Sequence, residues 1–340
     1  MKKLRNSINF IVGVVISLLF LYLAFRNVEF RLMVHSLANG RYLIIVPAIA
    51  MIFLSHWIRA VRWRYFLIPM KKVAANRLFS ALMVGYFGNS VLPAHLGEFF
   101  RAFIIGRKEK IPASSVFATI VIERVVDLFT LLTIMAIVLV LFPFPNWLKD
   151  GGYFLFFLTI CFLVFLIFLK KYNEAASKVL DFLLRYFPER FSQKIRMMFM
   201  SFLKGIKGFH RKKDYLIVLI HTLIIWACYI FVLYLSFSIF NLIHTYQLTI
   251  ISATLLMVVT TIGVVIPTSP GYVGTYHLLC QLGLEFLGVP RTIGLTYAIV
   301  VHAINFLPVI LVGIIFVWKE GINLLKMSRS HELKSFISES

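Results

Sequence analysis

Apolar stretches of about 20 residues, long enough to cross a bilayer core as helices, recur from one end of the chain to the other. They predict spanning helices over 7–26, 42–60, 112–142, 151–170, 214–240 and 290–318. Two further apolar segments, 77–107 and 247–288, are each broken near the middle by proline and glycine. The first span follows Lys2, Lys3 and Arg5 in the manner of a secretory signal. Tyr22-Leu23-Ala24-Phe25-Arg26 lacks a small-residue cleavage pattern, so this span is read as uncleaved. The segment 171–213 has a different rhythm. Leu180, Leu183, Leu184 and Phe187 recur at helical spacing, and Phe191, Ile195, Met198, Phe199, Phe202 and Ile206 continue it after Pro188. Lys178, Arg185, Lys194, Arg196, Lys204 and Lys207 take other positions. Two basic amphipathic helices follow, either lying on the cytoplasmic leaflet or packed as a helical pair on the membrane domain.

The fold class is therefore an all-α polytopic membrane protein, a single membrane domain over 1–340. Composition agrees: 60% of the residues are hydrophobic, against about 45–50% in ordinary globular domains. The formal charge of +21 raises the question of nucleic acid, but its placement argues against that partner. With the N-terminus inside, 28 Lys and Arg fall on the cytoplasmic side and 5 outside, a strong positive-inside bias. The expected partners are membrane lipids with anionic headgroups. The expected location is the cell (plasma) membrane, multi-pass, with both termini cytoplasmic. Cys161, Cys228 and Cys280 are isolated in apolar segments, without disulfide or zinc spacing. No G-x-x-x-x-G-K-[ST] loop occurs, and no cofactor or metal is expected.

The two broken segments match. Val91-Leu92-Pro93-Ala94-His95-Leu96-Gly97 and Val265-Ile266-Pro267-Thr268-Ser269-Pro270-Gly271 share the pattern V-[LI]-P-x-x-x-G. Each is followed by a short apolar stretch and a proline, Pro112 or Pro290, at the first position of a long span. Twelve residues after that proline stand Arg124 and His302; fifteen after it stand Asp127 and Asn305. Residues 42–142 and 214–318 thus read as two repeats, and the basic bias gives them opposite orientations. Each would carry a re-entrant segment shaped by Pro93 and Gly97, or by Pro267, Pro270, Gly271 and Gly274. Inverted repeats with broken helices are an architecture of secondary transporters.

Ionisable residues inside a membrane are costly and mark a site by default. Glu98 and Arg101 lie just past the first break, and Glu123, Arg124 and Asp127 lie on the span after it. A guanidinium fork suits a phosphate headgroup, and free N–H groups of a half-helix near Gly97 or Gly271 would add to the anion site. The competing reading is structural, with Glu98–Arg101 and Arg124–Asp127 as ion pairs that hold helices together. His302 and Asn305 are either site residues or interhelical hydrogen bonders. His56, His221 and His277 are scattered and read as structural or interfacial. Arg59, Arg62 and Arg64, interleaved with Trp57, Trp63 and Tyr65, read as an interface anchor.

Taken together, Pro93-x3-Gly97-Glu98-x2-Arg101, Glu123-Arg124-x2-Asp127 and Pro267-x2-Pro270-Gly271-x2-Gly274 resemble the transmembrane-region family of lysylphosphatidylglycerol synthases, also described as flippase-like integral membrane proteins. The similarity runs from about residue 8 to 320. The resemblance implies lipid translocation between leaflets, with Glu98, Arg101, Glu123, Arg124 and Asp127 as the polar site. Some members carry a soluble aminoacyl transferase domain, which is not expected here after the last span. The preferred function is a flippase for an anionic phospholipid or polyprenyl-linked lipid, ATP-independent, and more a transporter than an enzyme. The alternatives are a membrane-embedded lipid-modifying transferase with Glu123 or Asp127 as base, or a non-catalytic partner of an envelope lipid enzyme. A homo-oligomer is also compatible.

Overall fold

The computed structural model describes residues 15, 17–91, 96–142, 146–185, 189–205, 212–265 and 270–319. Among these, every regular element is helical. Helix α1 covers 17–25, followed by α2 (Phe30–Ala38), α3 (Ile45–Leu67), α4 (Ala75–Val91), α5 (Gly97–Glu109), α6 (Ala113–Leu141) and α7 (Asn146–Lys171). Then come α8 (Asn173–Leu184), α9 (Glu189–Gly205), α10 (Lys212–Phe237), α11 (Leu242–Thr245), α12 (Ile250–Val265), α13 (Thr275–Phe286) and α14 (Arg291–Lys319). Among the described residues four stretches are long and apolar enough to cross a membrane: Tyr42–Leu67, Ala113–Leu141, Lys213–Phe240 and Arg291–Lys319; much of the predicted span 7–26 lies outside the described residues. Phe156–Leu169 and Asn173–Leu184 form a further candidate, bent by 96° at a short break. The protein is an all-α, polytopic membrane protein.

The helix boundaries follow local chemistry. Pro112 and Pro290 immediately precede α6 and α14, where a missing N–H is harmless and φ is already helical. Both helices run 29 residues. The interrupted segments are interrupted in the structure: α4 ends at Val91 and α5 starts at Gly97, while α12 ends at Val265 and α13 starts at Thr275. Pro93 and Pro267 lie outside the described residues. With 13 and 12 residues, α5 and α13 reach about 20 Å, too short to span. The order long helix, helix to a break, short helix, 29-residue helix therefore occurs in both predicted repeats.

The chain divides into two compact units: Met1–His56, Tyr86–Gly97 and Leu223–Gly313 in the first, and Trp57–Gly85, Glu98–Thr222 and Ile314–Ser340 in the second. In the first, α13 packs on α12 so closely that a Cβ on Gly283 would stand 2.9 Å from Leu256. Gln281, buried, ties α13 to α1 and α14 by donating to the carbonyls of Ala24 (3.0 Å) and Arg291 (3.1 Å). Tyr297 of α14 donates to Leu233 O at 2.9 Å.

In the second unit α9 packs along α6. Ala118, Val125, Leu169 and Leu203 form a buried cluster, joined by Ile122, Leu163, Phe199 and Phe202. Ser115 donates to Ser201 O at 2.7 Å. Glu109, buried at the end of α5, receives Arg77 at 2.7 Å and Lys71 at 2.9 Å. Donation from Arg77, then from Lys71, holds its carboxyl below the usual glutamate range despite the opposing effect of burial. A depressed folded-state value means the stabilisation is complete above the unfolded value of about 4.3 and is lost as pH falls through the folded one. Glu109→Gln is expected to cost about 1 kcal/mol, since both cations are half exposed. In thermal melts of solubilised protein, its deficit against the parent should stay constant near neutral pH and narrow below about pH 4.

Candidate functional site: a buried arginine–carboxylate cluster

The polar residues of α5 and α6 meet in the second unit, together with two arginines of α3. Helix α3 continues to Leu67 rather than ending near residue 60. Ile52, Ser55, Arg59, Arg62 and Phe66, spaced three and four apart, are all buried. Arg59 and Arg62 are therefore not an interface anchor; they sit on the buried stripe of a spanning helix. That spacing was the available signal. Arginine in a tryptophan-rich stretch resembles a membrane interface, and that resemblance pointed the wrong way. Removing both from the cytoplasmic tally leaves the basic bias intact.

Glu123 is fully buried and is the hub. Its Oε1 accepts from Arg59 Nε at 2.6 Å and lies 3.5 Å from Arg62 Nη2, while Oε2 accepts from Arg101. Asp127, one turn further on α6, accepts from Arg59 and, at 2.8 Å, from Arg62 Nη2. Arg62 also donates to Thr222 of α10 at 2.9 Å, and its Nε has no hydrogen-bond partner among the described residues. The Arg101 guanidinium lies 3.9 Å from the ring centroid of Trp63, whose Nε1 donates to Thr119 at 2.9 Å. Each buried charge is thus met by opposite charge and by hydrogen bonds, the condition under which ions survive desolvation.

Glu98 and Arg124 form the open edge. Arg124 Nη2 lies 2.5 Å from Glu98 Oε1 and its Nη1 lies 3.9 Å from Asp127 Oδ2. The Arg124 side chain is 38% exposed and that of Glu98 19%, against 0% for Glu123 and 2% for Arg101. Arg124 Nε is buried and has no hydrogen-bond partner among the described residues. The principal pairs thus run crosswise, Glu98–Arg124 and Arg101–Glu123, rather than Glu98–Arg101 within α5. Among the described residues the cluster holds four arginines against three carboxylates. Arginine stays protonated, so ionised carboxylates leave one positive charge in excess.

The N–H of Gly97, expected to be free for an anion, donates to Asn89 Oδ1 at 2.8 Å instead. The second-repeat residues belong to the first unit. His302 donates from Nε2 to Gly271 O at 2.8 Å, and its ring stacks on Phe306 with centroids 4.3 Å apart. Asn305 donates to Val301 O of its own helix at 2.8 Å. Gly271 and Gly274 have φ of 66° and 89°, which glycine adopts freely. A Cβ on Gly274 would also stand 2.5 Å from Ser17 O.

The family model for the lysylphosphatidylglycerol synthase TM region matches residues 10–313. A UPF0104 membrane protein of Methanocaldococcus jannaschii is 26% identical over 315 residues, covering 87% of this chain and 91% of that protein. Another, from Methanothermobacter thermautotrophicus, is 25% identical over 71% of this chain and 75% of its own length. Glycosyltransferase AglD of Haloferax volcanii is 35% identical over 98 residues, 28% of this chain and 16% of that protein. No solved structure matches the chain.

Proposed function

The chain belongs to the lysylphosphatidylglycerol synthase TM-region family, and from that premise we propose that it moves an anionic phospholipid or polyprenyl-linked lipid between leaflets without ATP. The observation that carries this reading is the partly exposed Arg124–Glu98 pair at the edge of a cluster that holds one more guanidinium than carboxylate. A headgroup phosphate would displace Glu98 and take the planar fork of Arg124. The inner pairs around Glu123 would hold α3, α5 and α6 while this exchange occurs. Desolvating a headgroup alone is costly, and a polar groove lowers that barrier. The basic bias supports cytoplasmic termini in the plasma membrane and opposite orientations for 42–142 and 214–318. The two short helices after the breaks would then enter the bilayer from opposite faces.

Purified protein in sealed liposomes is expected to speed leaflet exchange of a labelled anionic lipid at least about tenfold over protein-free vesicles, a barrier change of ~1.4 kcal/mol. Exchange at the protein-free rate for anionic, zwitterionic and polyprenyl lipids alike, with and without a pH gradient, would sink this reading. The partial match to a protein named as a glycosyltransferase supports a second reading, a non-catalytic partner of a lipid-modifying enzyme. Chemical change of the labelled lipid by the isolated chain would point instead to a transferase.

A further inference from the structure

Both short helices that follow a break begin with a backbone N–H held by a side chain, and the two holders differ in chemistry. At the first break Gly97 donates to the amide oxygen of Asn89, an acceptor that does not titrate. At the second, Gly274 donates to Nδ1 of His277 at 3.3 Å. A backbone N–H only donates, so this Nδ1 carries no proton and the imidazole is neutral, with its hydrogen on Nε2. From α14, His302 donates Nε2–H to the carbonyl of Gly271, at the other end of the same turn. The two rings stand 4.7 Å apart. Between them the backbone is left-handed at Gly271, Tyr272 and Gly274, an unfavourable conformation for Tyr272 that its surroundings must maintain. Ser17 of α1 adds a third tie by donating to Val273 O at 2.6 Å.

We propose that His277 is a proton-binding site that controls the second break. A proton taken from water onto Nδ1 removes the acceptor for Gly274 and sets two donors facing each other at the same distance. The hydrogen bond breaks, and the strained turn loses a tie at the start of α13. The titratable neighbours are few. On α13 they are Tyr276 and Cys280, and α14 supplies His302, whose ring also lies 5.2 Å from that of Tyr276. Helices α1 and α12 carry no charged side chain, and α14 carries none from Thr292 to Trp318 apart from His302. The acid of α13, Glu285, is committed to Arg291 at 2.8 Å. Among the described residues, then, no carboxylate pairs with either imidazole. A proton here acts on the turn rather than on an ion pair, and a charge on one ring opposes a second on the other. At the start of α5 the corresponding acceptor, Asn89 Oδ1, does not titrate, so the two short helices are capped by unequal chemistry.

The test reads the backbone and does not depend on lipid transport. Amide exchange of residues 271–277, in nanodiscs and corrected for its intrinsic pH dependence, is compared at about pH 7.5 and about pH 4, well to either side of the ordinary histidine value of about 6.5. Wild type is expected to exchange about tenfold or more faster at the lower pH. His277→Asn places an amide oxygen where Nδ1 stood, as Asn89 does at the first break, and should be insensitive to pH. His302→Gln keeps a donor toward Gly271 and should keep the response. Wild type unchanged between the two pH values, His277→Asn responding like wild type, or a response abolished by His302→Gln would each overturn the proposal. Should His277→Asn fail to fold, wild type and His302→Gln decide the matter alone.

Discussion

Glu123→Ala is expected to lower stability by about 3–5 kcal/mol, among the largest losses any single substitution in the chain should cause. Glu123 is fully buried and meets three guanidinium groups. Its removal leaves Arg59 and Arg62 to share Asp127, and takes a buried carboxylate from Arg101, whose guanidinium also faces Trp63, a contact of about 1–2 kcal/mol in a desolvated setting. Glu123→Gln keeps the volume and one acceptor oxygen but not the charge, so a loss of about 2 kcal/mol is expected. Unfolding of the purified protein in mild detergent, by heat or added denaturant, provides the measurement. In a double-mutant cycle, Arg101→Met and Glu123→Leu should be coupled by more than ~1 kcal/mol, because the two buried side chains pair directly. A loss of under about 0.5 kcal/mol for Glu123→Ala would mean that the arginines find water or lipid phosphate instead, and that Glu123 is not the hub.

Much of this architecture is legible in the sequence because the bilayer makes it so. Apolar runs of spanning length must be helical where no water satisfies the backbone, and prolines at 112 and 290 mark where two of them start. The breaks at Val91 and Val265 follow from proline and glycine in otherwise apolar segments. The acidic members of the cluster were legible for the same reason: Glu98, Glu123 and Asp127 stand out wherever charge is rare. Arg59 and Arg62 were not, since basic residues at a helix end normally snorkel to the interface. What buries them is a partner on another helix, and pairing across helices has no signature in one sequence. The same holds for the crosswise pairs and for His277, whose role depends on an N–H three residues before it and on a ring from α14. Spacing within a helix identifies candidates, and packing between helices chooses among them.

Arg124→Ala is expected to bring lipid exchange down at least about tenfold, close to the protein-free rate, while costing only about 1 kcal/mol of stability. The separation follows from where the side chain sits. Its firm partner is Glu98, at the edge of the cluster, and more than a third of the side chain is uncovered by protein. The residues that hold α3 against α6 are Arg59 and Arg62, and they do not need Arg124. Arg124→Lys keeps the charge but loses the planar fork, so only part of the activity should return. Glu98→Gln tests the displacement step from the other side. If the headgroup must compete with Glu98 for Arg124, this variant should hold anionic lipid more tightly than the parent, seen as retained lipid in native mass spectra, and should exchange it more slowly because release becomes limiting. Both variants should melt within a few degrees of the parent. If Arg124→Ala instead unfolds the protein, and Glu98→Ala with Arg124→Ala restores both folding and exchange, the pair is a structural fastening and the headgroup binds elsewhere.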